Sequence, residues 1–275
     1  MKQSMAQRVA AFPLVRLLLI VAIFAVLVLP VGPATRLFAG TWQSLAIAWF
    51  PPVILLAVFI AVERFAAGKR PSAIGLDPRH APRDLMLGGL LGAVLFSLVV
   101  LELAAGGFYR IVAVHATWAL ALAVPVLLGH AFLEELLFRG VIFRLIEEWA
   151  GMWVALAISA VLFGLAHAAN PGATWISSLA IALEAGVLLG AAFVLTRNLW
   201  FPVGVHFAWN FFEGPVYGTQ ISGGVLRTSA ITAQLTGPRI LTGGSFGPEA
   251  GLAAVVTCSI AAVGLLVLAT RSRAL

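Results

Sequence analysis

The sequence predicts an all-α polytopic transmembrane helix bundle of about eight spans, with a water-accessible intramembrane cavity. Of the 275 residues, 61% are hydrophobic and only 10% are charged, whereas soluble domains have about 45–50% apolar and about 25% charged residues. The apolar residues also lie in long continuous runs. Only helices and closed barrels satisfy every backbone polar group within a bilayer, and these runs are too long for barrel strands.

Eight apolar segments are predicted as membrane spans from their length and composition. The first follows Lys2, Arg8 and Arg16, and because no clean cleavage site follows it, we expect a retained helix. The eight segments are roughly 14–30, 45–62, 85–105, 117–145, 152–169, 174–196, 201–216 and 250–269. These segments form one integral bundle with three parts in chain order: the N-terminal helices with the cytoplasmic loop, the core helices, and the outer loop with the last helix. The divisions are 1–116, 117–216 and 217–275.

The distribution of basic residues predicts the orientation of the bundle. With the N-terminus in the cytoplasm and all eight segments crossing, most Lys and Arg residues fall on the inner side, as the positive-inside rule requires. The outer side holds Arg36, Arg110, Arg227 and Arg239. The stretch 63–84 is then the main cytoplasmic loop and 217–249 a long outer loop. Because the basic residues are scattered singly, the net charge of +6 does not indicate nucleic-acid binding.

Three charged residues in one apolar segment are the main candidates for function: Glu134, Glu135 and Arg139, in HAFLEELLFRG. A charged side chain at the centre of a span costs roughly 2.5–3.5 kcal/mol on insertion scales, so such a cluster indicates a functional site. Glu135 and Arg139 are four residues apart and can pair along the helix, which leaves Glu134 pointing toward the bundle interior. The alternative is that both carboxylates share the arginine purely for stability. His130 lies one turn before Glu134, on the same face.

Two histidines in later segments are predicted to lie at the depth of Glu134. Glu134 precedes a predicted turn at 150–151 by sixteen residues, and His167 follows it by sixteen, so each lies about 24 Å from the turn at 1.5 Å per residue. Segment seven enters the membrane from the same face, and His206 lies near its start, at a similar depth. Asn210 lies one turn further along, on the His206 face. Either histidine taken alone would more often be a satisfied core residue than a ligand.

The sequence after His167 predicts an interruption within the membrane. AANPGATW contains Asn170, Pro171 and Gly172, which break a helix. Non-helical backbone at membrane depth is tolerated where protein or a water-filled cavity lines it. We therefore expect a broken or re-entrant element beside a wet chamber; the alternative is a fifth segment that is simply short and tilted.

Together, Glu134, His167, His206 and Asn210 predict hydrolytic chemistry. One glutamate and two histidines are a standard ligand set for Zn²⁺ or another divalent metal that activates a water. Without a metal, Glu134 and His167 can activate water by general-base catalysis, and Asn210 can donate a hydrogen bond to an oxyanion. Serine or cysteine catalysis has little support, because no G-x-S-x-G motif occurs and Cys258 has no basic partner nearby in sequence.

These motifs resemble those of a known family of membrane proteins. EExxxR at 134–139, FxxxH at 163–167 and HxxxN at 206–210 occur in order, in separate apolar segments. They are similar to the motifs of the CPBP (CAAX protease and bacteriocin-processing, Abi) family of intramembrane proteases, which is related to the type II CAAX prenyl endopeptidase. The resemblance covers about residues 117–215, so it implies a catalytic core in 117–216.

The resemblance implies a role for each motif residue. Glu134 and His167 would activate the water, while His206 and Asn210 would form either a metal site or an oxyanion hole. The tentative metal ligands are Glu134, His167 and His206. The supporting residues are Glu135, Arg139 and Phe163. The family is described both with and without a metal, so both mechanisms stay open.

The predicted function is therefore an intramembrane endopeptidase that cleaves a peptide or protein substrate near the cytoplasmic face. We expect the bacterial cytoplasmic membrane as its location, with both termini inside. One alternative is a proton-coupled transporter that uses the Glu/His cluster as a relay, although no repeated halves are visible. The other is a non-catalytic immunity or scaffold protein. Glu184 in segment six either lines the chamber or is a neutral core acid.

Overall fold

The computed structural model describes residues 9, 11–28, 41–68, 75–224 and 229–273. Several basic residues used to predict the orientation therefore lie outside the described residues: Lys2, Arg8, Arg36, Lys69, Arg70 and Arg227. The helices in chain order are α1 (Pro13–Val28), α2 (Thr41–Ala67), α3 (Ala81–Ala105), α4 (Ala119–Glu135), α5 (Arg144–Ala150), α6 (Met152–Ala166), α7 (Trp175–Ile181), α8 (Val187–Thr196), α9 (Trp200–Phe211), α10 (Arg239–Thr242) and α11 (Leu252–Arg273). Three π-helical segments join α4 to α5 (Leu136–Phe143), join α7 to α8 (Ala182–Gly186) and extend α9 (Phe212–Val216).

Six helices among the described residues are long and apolar enough to cross a membrane, by length and composition. They are Leu45–Ala67, Ala81–Ala105, Leu120–Ala150, Met152–Ala169, Trp175–Thr196 and Leu252–Arg271. The all-α polytopic prediction is confirmed. The number of spans differs from eight because two predicted segments form shorter helices, α1 with 16 residues and α9 with 12.

The two predicted interruptions of the core helices are present. Helix α5 ends at Ala150 and α6 begins at Met152, because Gly151 lies between them with a φ of 85°, a conformation that favours glycine. After α6 the chain makes a short 3₁₀ turn at His167–Ala169 and becomes helical again at Trp175. The Asn-Pro-Gly sequence therefore does break the helix immediately after His167; a re-entrant path through the membrane stays a prediction.

Ion pairs bring the ends of four helices together on one side of the bundle. Buried Arg16 of α1 donates to both oxygens of Glu63 on α2, at 2.6 and 2.7 Å, and also contacts Glu148 on α5. Arg197, just after α8, pairs with Glu147 at 2.6 Å on the surface. The start of α1 and the ends of α2, α5 and α8 thus share one side, which is the relative arrangement that the predicted topology requires.

Glycines allow α3 and α9 to approach closely. A Cβ added to Gly88 would lie 2.2 Å from the carbonyl oxygen of Phe201, and one added to Gly92 would lie 2.2 Å from that of Val205. A Cβ added to Gly204, on α9, would likewise lie 2.6 Å from the carbonyl oxygen of Leu85. Small residues of this kind let transmembrane helices pack backbone to backbone, and here the contact fixes the helix that carries His206.

Gly92→Ala is expected to lower the unfolding temperature in detergent, because its methyl group would push α3 away from α9. Overpacking of this kind costs about 1–3 kcal/mol. Gly264→Ala is the matched control: a Cβ there would meet no atom within 4 Å, and alanine is better than glycine in a helix by roughly 0.5–1 kcal/mol. Equal unfolding temperatures for the two variants would contradict the close contact.

The predicted outer loop 217–249 contains structure that the hydrophobic pattern does not reveal. Its strand β2 (Ile231–Leu235) pairs antiparallel with β1 (Tyr109–Val114). Pro248 and Glu249 begin a short 3₁₀ turn, Pro248–Ala250, and the last helix starts only at Leu252. This turn folds inward and buries Glu249.

Candidate active site

Glu134 and the two motif histidines meet at one point of the bundle. The Oε2 atom of Glu134 lies 3.8 Å from Nε2 of His167 and 3.9 Å from Nε2 of His206. These distances are too long for direct hydrogen bonds. Oε2 is buried and has no hydrogen-bond partner among the described residues, although one third of the side chain is exposed. One carboxylate oxygen thus faces two imidazoles across a space that a shared water can bridge.

Glu135 is held in a different environment from its neighbour. Its Oε1 atom accepts a hydrogen bond from Nη1 of Arg139 at 2.9 Å, and both side chains are fully buried. The same oxygen lies 2.9 Å from Nδ1 of His206. The predicted pairing of Glu135 with Arg139 is therefore present, and Glu135 also orients a histidine from α9. The two adjacent glutamates diverge as the helix geometry predicts.

Arg139, in the first π-helical segment, contacts the second π-helical segment and Phe163 of the FxxxH motif. Its Nη2 atom donates to the carbonyl oxygens of Ala185 and Gly186, at 3.2 and 3.1 Å, in the second π-helical segment. Its guanidinium lies 4.6 Å from the ring centroid of Phe163. The ring of Phe163 in turn lies 4.8 Å from the ring of His167. Arg139 thus connects Glu135 on α4 to Phe163, the aromatic residue that packs against His167.

The hydrogen bonds of His167 determine which ring nitrogen faces Glu134. The side chain of His167 lies against the backbone carbonyl of Phe163, one turn earlier in the chain. That carbonyl lies 2.8 Å from Nδ1 of His167. Because a carbonyl oxygen only accepts, Nδ1 carries the proton. Nε2 therefore faces Glu134, and in a neutral ring it presents a lone pair there.

His206 is oriented in the same sense by a carboxylate. Oε1 of Glu135, which accepts a hydrogen bond from Arg139, also accepts one from Nδ1 of His206. Nε2 of His206 therefore points toward Glu134, where it presents a lone pair in the neutral ring and an N–H in the protonated ring. Two imidazoles with protonated Nδ1 atoms and converging Nε2 atoms are suited to binding a water or a cation.

The donor types fit a divalent metal, but their spacing is wide. Two Nε2 atoms and one carboxylate oxygen are suitable ligands, and each histidine has the partner at Nδ1 that metal-binding histidines need. Ligand bonds of 2.0–2.1 Å in a tetrahedron bring donors to about 3.3–3.4 Å of one another, whereas the observed separations are 3.8 and 3.9 Å. Within the described part of the chain, no group of three or more candidate ligands is arranged to hold a metal ion.

A cavity of about 30 Å³ lies beside the two histidines. Asn210 lines it together with His167 and His206, so the structure brings all four predicted catalytic residues to one site. Glu184 also lines the cavity and is only 2% exposed, so it fits both alternatives given for it. His130 is exposed on α4.

Two buried acids near this site were not predicted from the sequence. Glu249 lines the cavity, and Glu213 is fully buried beside it in the extension of α9. Both lie outside the three motifs, and Glu213 occurs in a segment assigned as an ordinary span. An isolated acid in an apolar segment was the available signal, as it was for Glu184.

The fold and the site together define an integral membrane helix bundle with a cluster of glutamate and histidine side chains inside it. Residues 116–212 match the family model described as "Type II CAAX prenyl endopeptidase Rce1-like". The chain is 25% identical over 178 residues to a Bacillus subtilis (strain 168) protein described as "Putative membrane peptidase YdiL", covering 63% of this chain and 70% of the relative. No solved structure matches the chain significantly.

The comparisons confirm the family resemblance of the three motifs. The matched region 116–212 contains all three motifs, because EExxxR, FxxxH and HxxxN fall between positions 134 and 210. The family model and the relative both support an intramembrane protease in general. Such a protein acts on a peptide substrate in a membrane environment.

Proposed function

We propose that this protein is an intramembrane endopeptidase in which Glu134 and His167 activate a water that attacks a peptide carbonyl. The observation that carries the proposal is the buried Oε2 atom of Glu134, which has no hydrogen-bond partner among the described residues and faces Nε2 of both histidines. Glu135 and Arg139 satisfy each other in part, so Glu134 is the carboxylate available for proton transfer. The exposed part of Glu134 provides a route to the site.

The proposed reaction begins with the transfer of one water proton to Glu134, while His167 accepts the hydrogen bond from the other O–H. The water oxygen forms a bond to the carbonyl carbon, and the carbonyl oxygen becomes an oxyanion. The C–N bond then breaks, and the proton held by Glu134 moves to the departing amine. The products are a carboxylic acid and an amine, and Glu134 is regenerated as a carboxylate.

His206 and Asn210 are proposed to stabilise the oxyanion. The Asn210 side chain lines the same cavity as both histidines and can donate an N–H. The Glu135 carboxylate, 2.9 Å from Nδ1, stabilises a positive charge on the His206 ring, which then donates from Nε2. Removal of one oxyanion donor typically lowers kcat by 10²–10³-fold. Oxyanion stabilisation is therefore expected to contribute less to the rate than the general base alone.

A divalent metal is the second form of this proposal. Glu134, His167 and His206 would hold it, and it would polarise the carbonyl and lower the pKa of its water. We propose cleavage near the cytoplasmic face of a bacterial cytoplasmic membrane, with both termini inside. The ion-paired helix ends lie on one side of the bundle, and the positive-inside rule assigns most Lys and Arg residues of the sequence to that side.

The proposed activity is testable with purified protein in detergent and a fluorogenic peptide library. Wild type is expected to cleave a subset of the peptides, and His167→Ala is expected to lose at least 100-fold in kcat/KM, the lower end for general acid–base groups. Activity in the presence of EDTA, and after adding back Zn²⁺, distinguishes the two forms of the proposal. Equal turnover by wild type, His167→Ala and Glu134→Ala would contradict hydrolysis at this site.

A further inference from the structure

The cavity beside the histidines has the size and the lining of a water-binding site. Its volume of about 30 Å³ is enough for about one or two water molecules and too small for a substrate side chain. Polar side chains from separate parts of the chain line it, among them His167, Asn210, Ser222 and Glu249. A buried water makes about two to four hydrogen bonds to polar groups, and this lining offers both donors and acceptors for them.

One donor at this cavity has no partner within the described part of the chain. Nε1 of Trp209 is buried and makes no hydrogen bond there, and Trp209 lines the cavity and is 6% exposed. Its ring packs edge-on against Phe96, with 5.0 Å between the ring centroids, so the indole is held by contacts that do not involve the N–H. Buried polar groups are nearly always hydrogen-bonded to protein or water. A water oxygen is an acceptor for this N–H that fits the space.

The buried acids around the cavity form a polar network with one another and with their neighbours. Glu249 accepts a hydrogen bond from Ser222 at 2.6 Å and interacts with Glu213. Glu184 interacts with Cys258. Because these groups already have partners among themselves, the lining suits a neutral ligand that completes the network. The carboxyl groups of Glu184 and Glu249 line the cavity and offer acceptors to a water there.

The cavity adjoins the point of hydrolysis but is separate from it. His167 and His206 line the cavity, whereas Glu134 does not. The same two imidazoles face Oε2 of Glu134 at 3.8 and 3.9 Å, so they border both places. Each turnover of the proposed reaction consumes one water, and inside a helix bundle that water has to be replaced. A water held against the imidazoles is placed to replace it.

A polar region leads away from this cavity into the loops beside the β-sheet. Ser222 and Glu249 both belong to these loops. A second cavity of about 250 Å³ lies there, and Gly247 is part of its wall. A Cβ added to Gly247 would lie 3.4 Å from Oε1 of Glu213, so this second cavity borders the acid network. Its polar lining residues are Thr219, Gln220 and Ser245.

These loops lie across the bundle from the ion-paired helix ends. The segment before α3 lies beside the start of α9, because Nε1 of Trp200 donates to the carbonyl oxygen of Asp77 at 3.1 Å. Ion-paired Arg197 directly precedes that start. From there α3 runs for 25 residues, or about 38 Å, and leads into β1, which pairs with β2. The sheet and the loops next to it are therefore at the other end of α3.

We propose that the small cavity binds one or two waters, held by Trp209 and Glu249, which enter from the loops beside the sheet and replace the water consumed at Glu134. The use of the water rests on the proposed endopeptidase function, whereas its binding does not. Trp209, Ser222 and Glu249 are then positioning residues for the water. Water approaches from the side opposite the ion-paired helix ends, near which the peptide is proposed to be cleaved.

The water site is testable without catalysis by NMR on protein with ¹⁵N-labelled tryptophan in detergent. Trp209→Phe identifies the Trp209 indole signal as the one of eight that disappears. In wild type and in Glu134→Gln, this N–H is expected to show a direct nuclear Overhauser effect with water. Ala185→Val and Leu189→Phe each enlarge a side chain in the cavity wall and are expected to weaken the effect at least about fivefold. Ala121→Val, at an exposed position of α4, is the control and should leave it unchanged. No effect in wild type, or an equal effect in both filled variants, overturns the proposal.

A second measurement tests whether the bound water supplies the reaction. Trp209→Phe keeps an aromatic ring against Phe96 but removes the N–H, so it is expected to lower kcat about tenfold, the effect of one lost hydrogen bond, with KM within about twofold of wild type. Trp153→Phe is the control, since Trp153 is exposed at the start of α6, and should keep the wild-type kcat. An unchanged kcat in Trp209→Phe, or a rise in KM that accounts for the loss, overturns the supply role. Absent peptide cleavage by wild type, with the water signal present, contradicts the endopeptidase function and supports the water site, so the two failures are distinguishable.

Discussion

Glu134→Gln is expected to reduce kcat/KM for peptide hydrolysis by about 10²–10⁴-fold, the contribution typical of a general base. Glutamine keeps the shape of the side chain but cannot accept a proton from water. Oε2 makes no hydrogen bond within the described residues, so the folded state loses little. The unfolding temperature should stay within about 2 °C of wild type, as for substitutions that remove no buried contact.

The neighbouring substitution, Glu135→Gln, provides the matched comparison. Glu135 is fully buried and accepts hydrogen bonds from Arg139 and His206, so its loss of charge should destabilise the protein as well as impair catalysis. The two variants, one residue apart, are therefore expected to separate catalysis from stability. Activity of Glu134→Gln within tenfold of wild type, measured with the same peptides, would remove Glu134 from the proposed mechanism.

Much of the site could be predicted because its parts are local in sequence. The spacing of Glu135 and Arg139 predicts a pair along one helix, and that pair is present. The turn at 150–151 is also present, and the equal count of sixteen residues on each side of it predicts His167 at the depth of Glu134, where the two side chains meet. Residue spacing and helix rise are sufficient for such predictions because each depends on one helix or one hairpin.

Other parts depend on how distant segments rotate and pack, which spacing does not determine. The bond between His206 and Glu135 joins residues 71 positions apart, so the sequence indicates a shared depth but not which carboxylate the ring meets. The π-helical segments shift the face of each residue that follows them. Glu249 reaches the cavity because the turn at Pro248–Ala250 folds inward, and no hydrophobic period marks such a turn.

The short sheet shows a related limit of pattern analysis. Strand β1 follows α3 directly, and β2 lies in a polar loop more than a hundred residues later in the sequence. Each strand is short and has no alternating pattern strong enough to stand out beside long apolar helices. Their pairing is a non-local contact, so only the folded arrangement of α3 and α9 brings them together.

Arg139→Met is expected to have the largest effect on folding. Arg139 is fully buried and holds Glu135 and the carbonyls of Ala185 and Gly186, so its removal leaves a buried carboxylate without its cation. Breaking a buried ion pair from one side costs about 3–5 kcal/mol, which corresponds to a fall in unfolding temperature on the order of 10 °C. The measurement is thermal unfolding of the purified variant in detergent.

The double variant Glu135→Leu/Arg139→Met separates the structural role of this pair from its role in catalysis. Apolar replacement of both partners is often neutral or stabilising, so the double variant should regain much of the stability lost in Arg139→Met. It should not regain activity, because Nδ1 of His206 then lacks the carboxylate that orients it. Arg197→Met is the control: its ion pair with Glu147 is on the surface, and such pairs contribute about 0–1 kcal/mol. If Arg139→Met is as stable as Arg197→Met, the buried pair does not hold the site together.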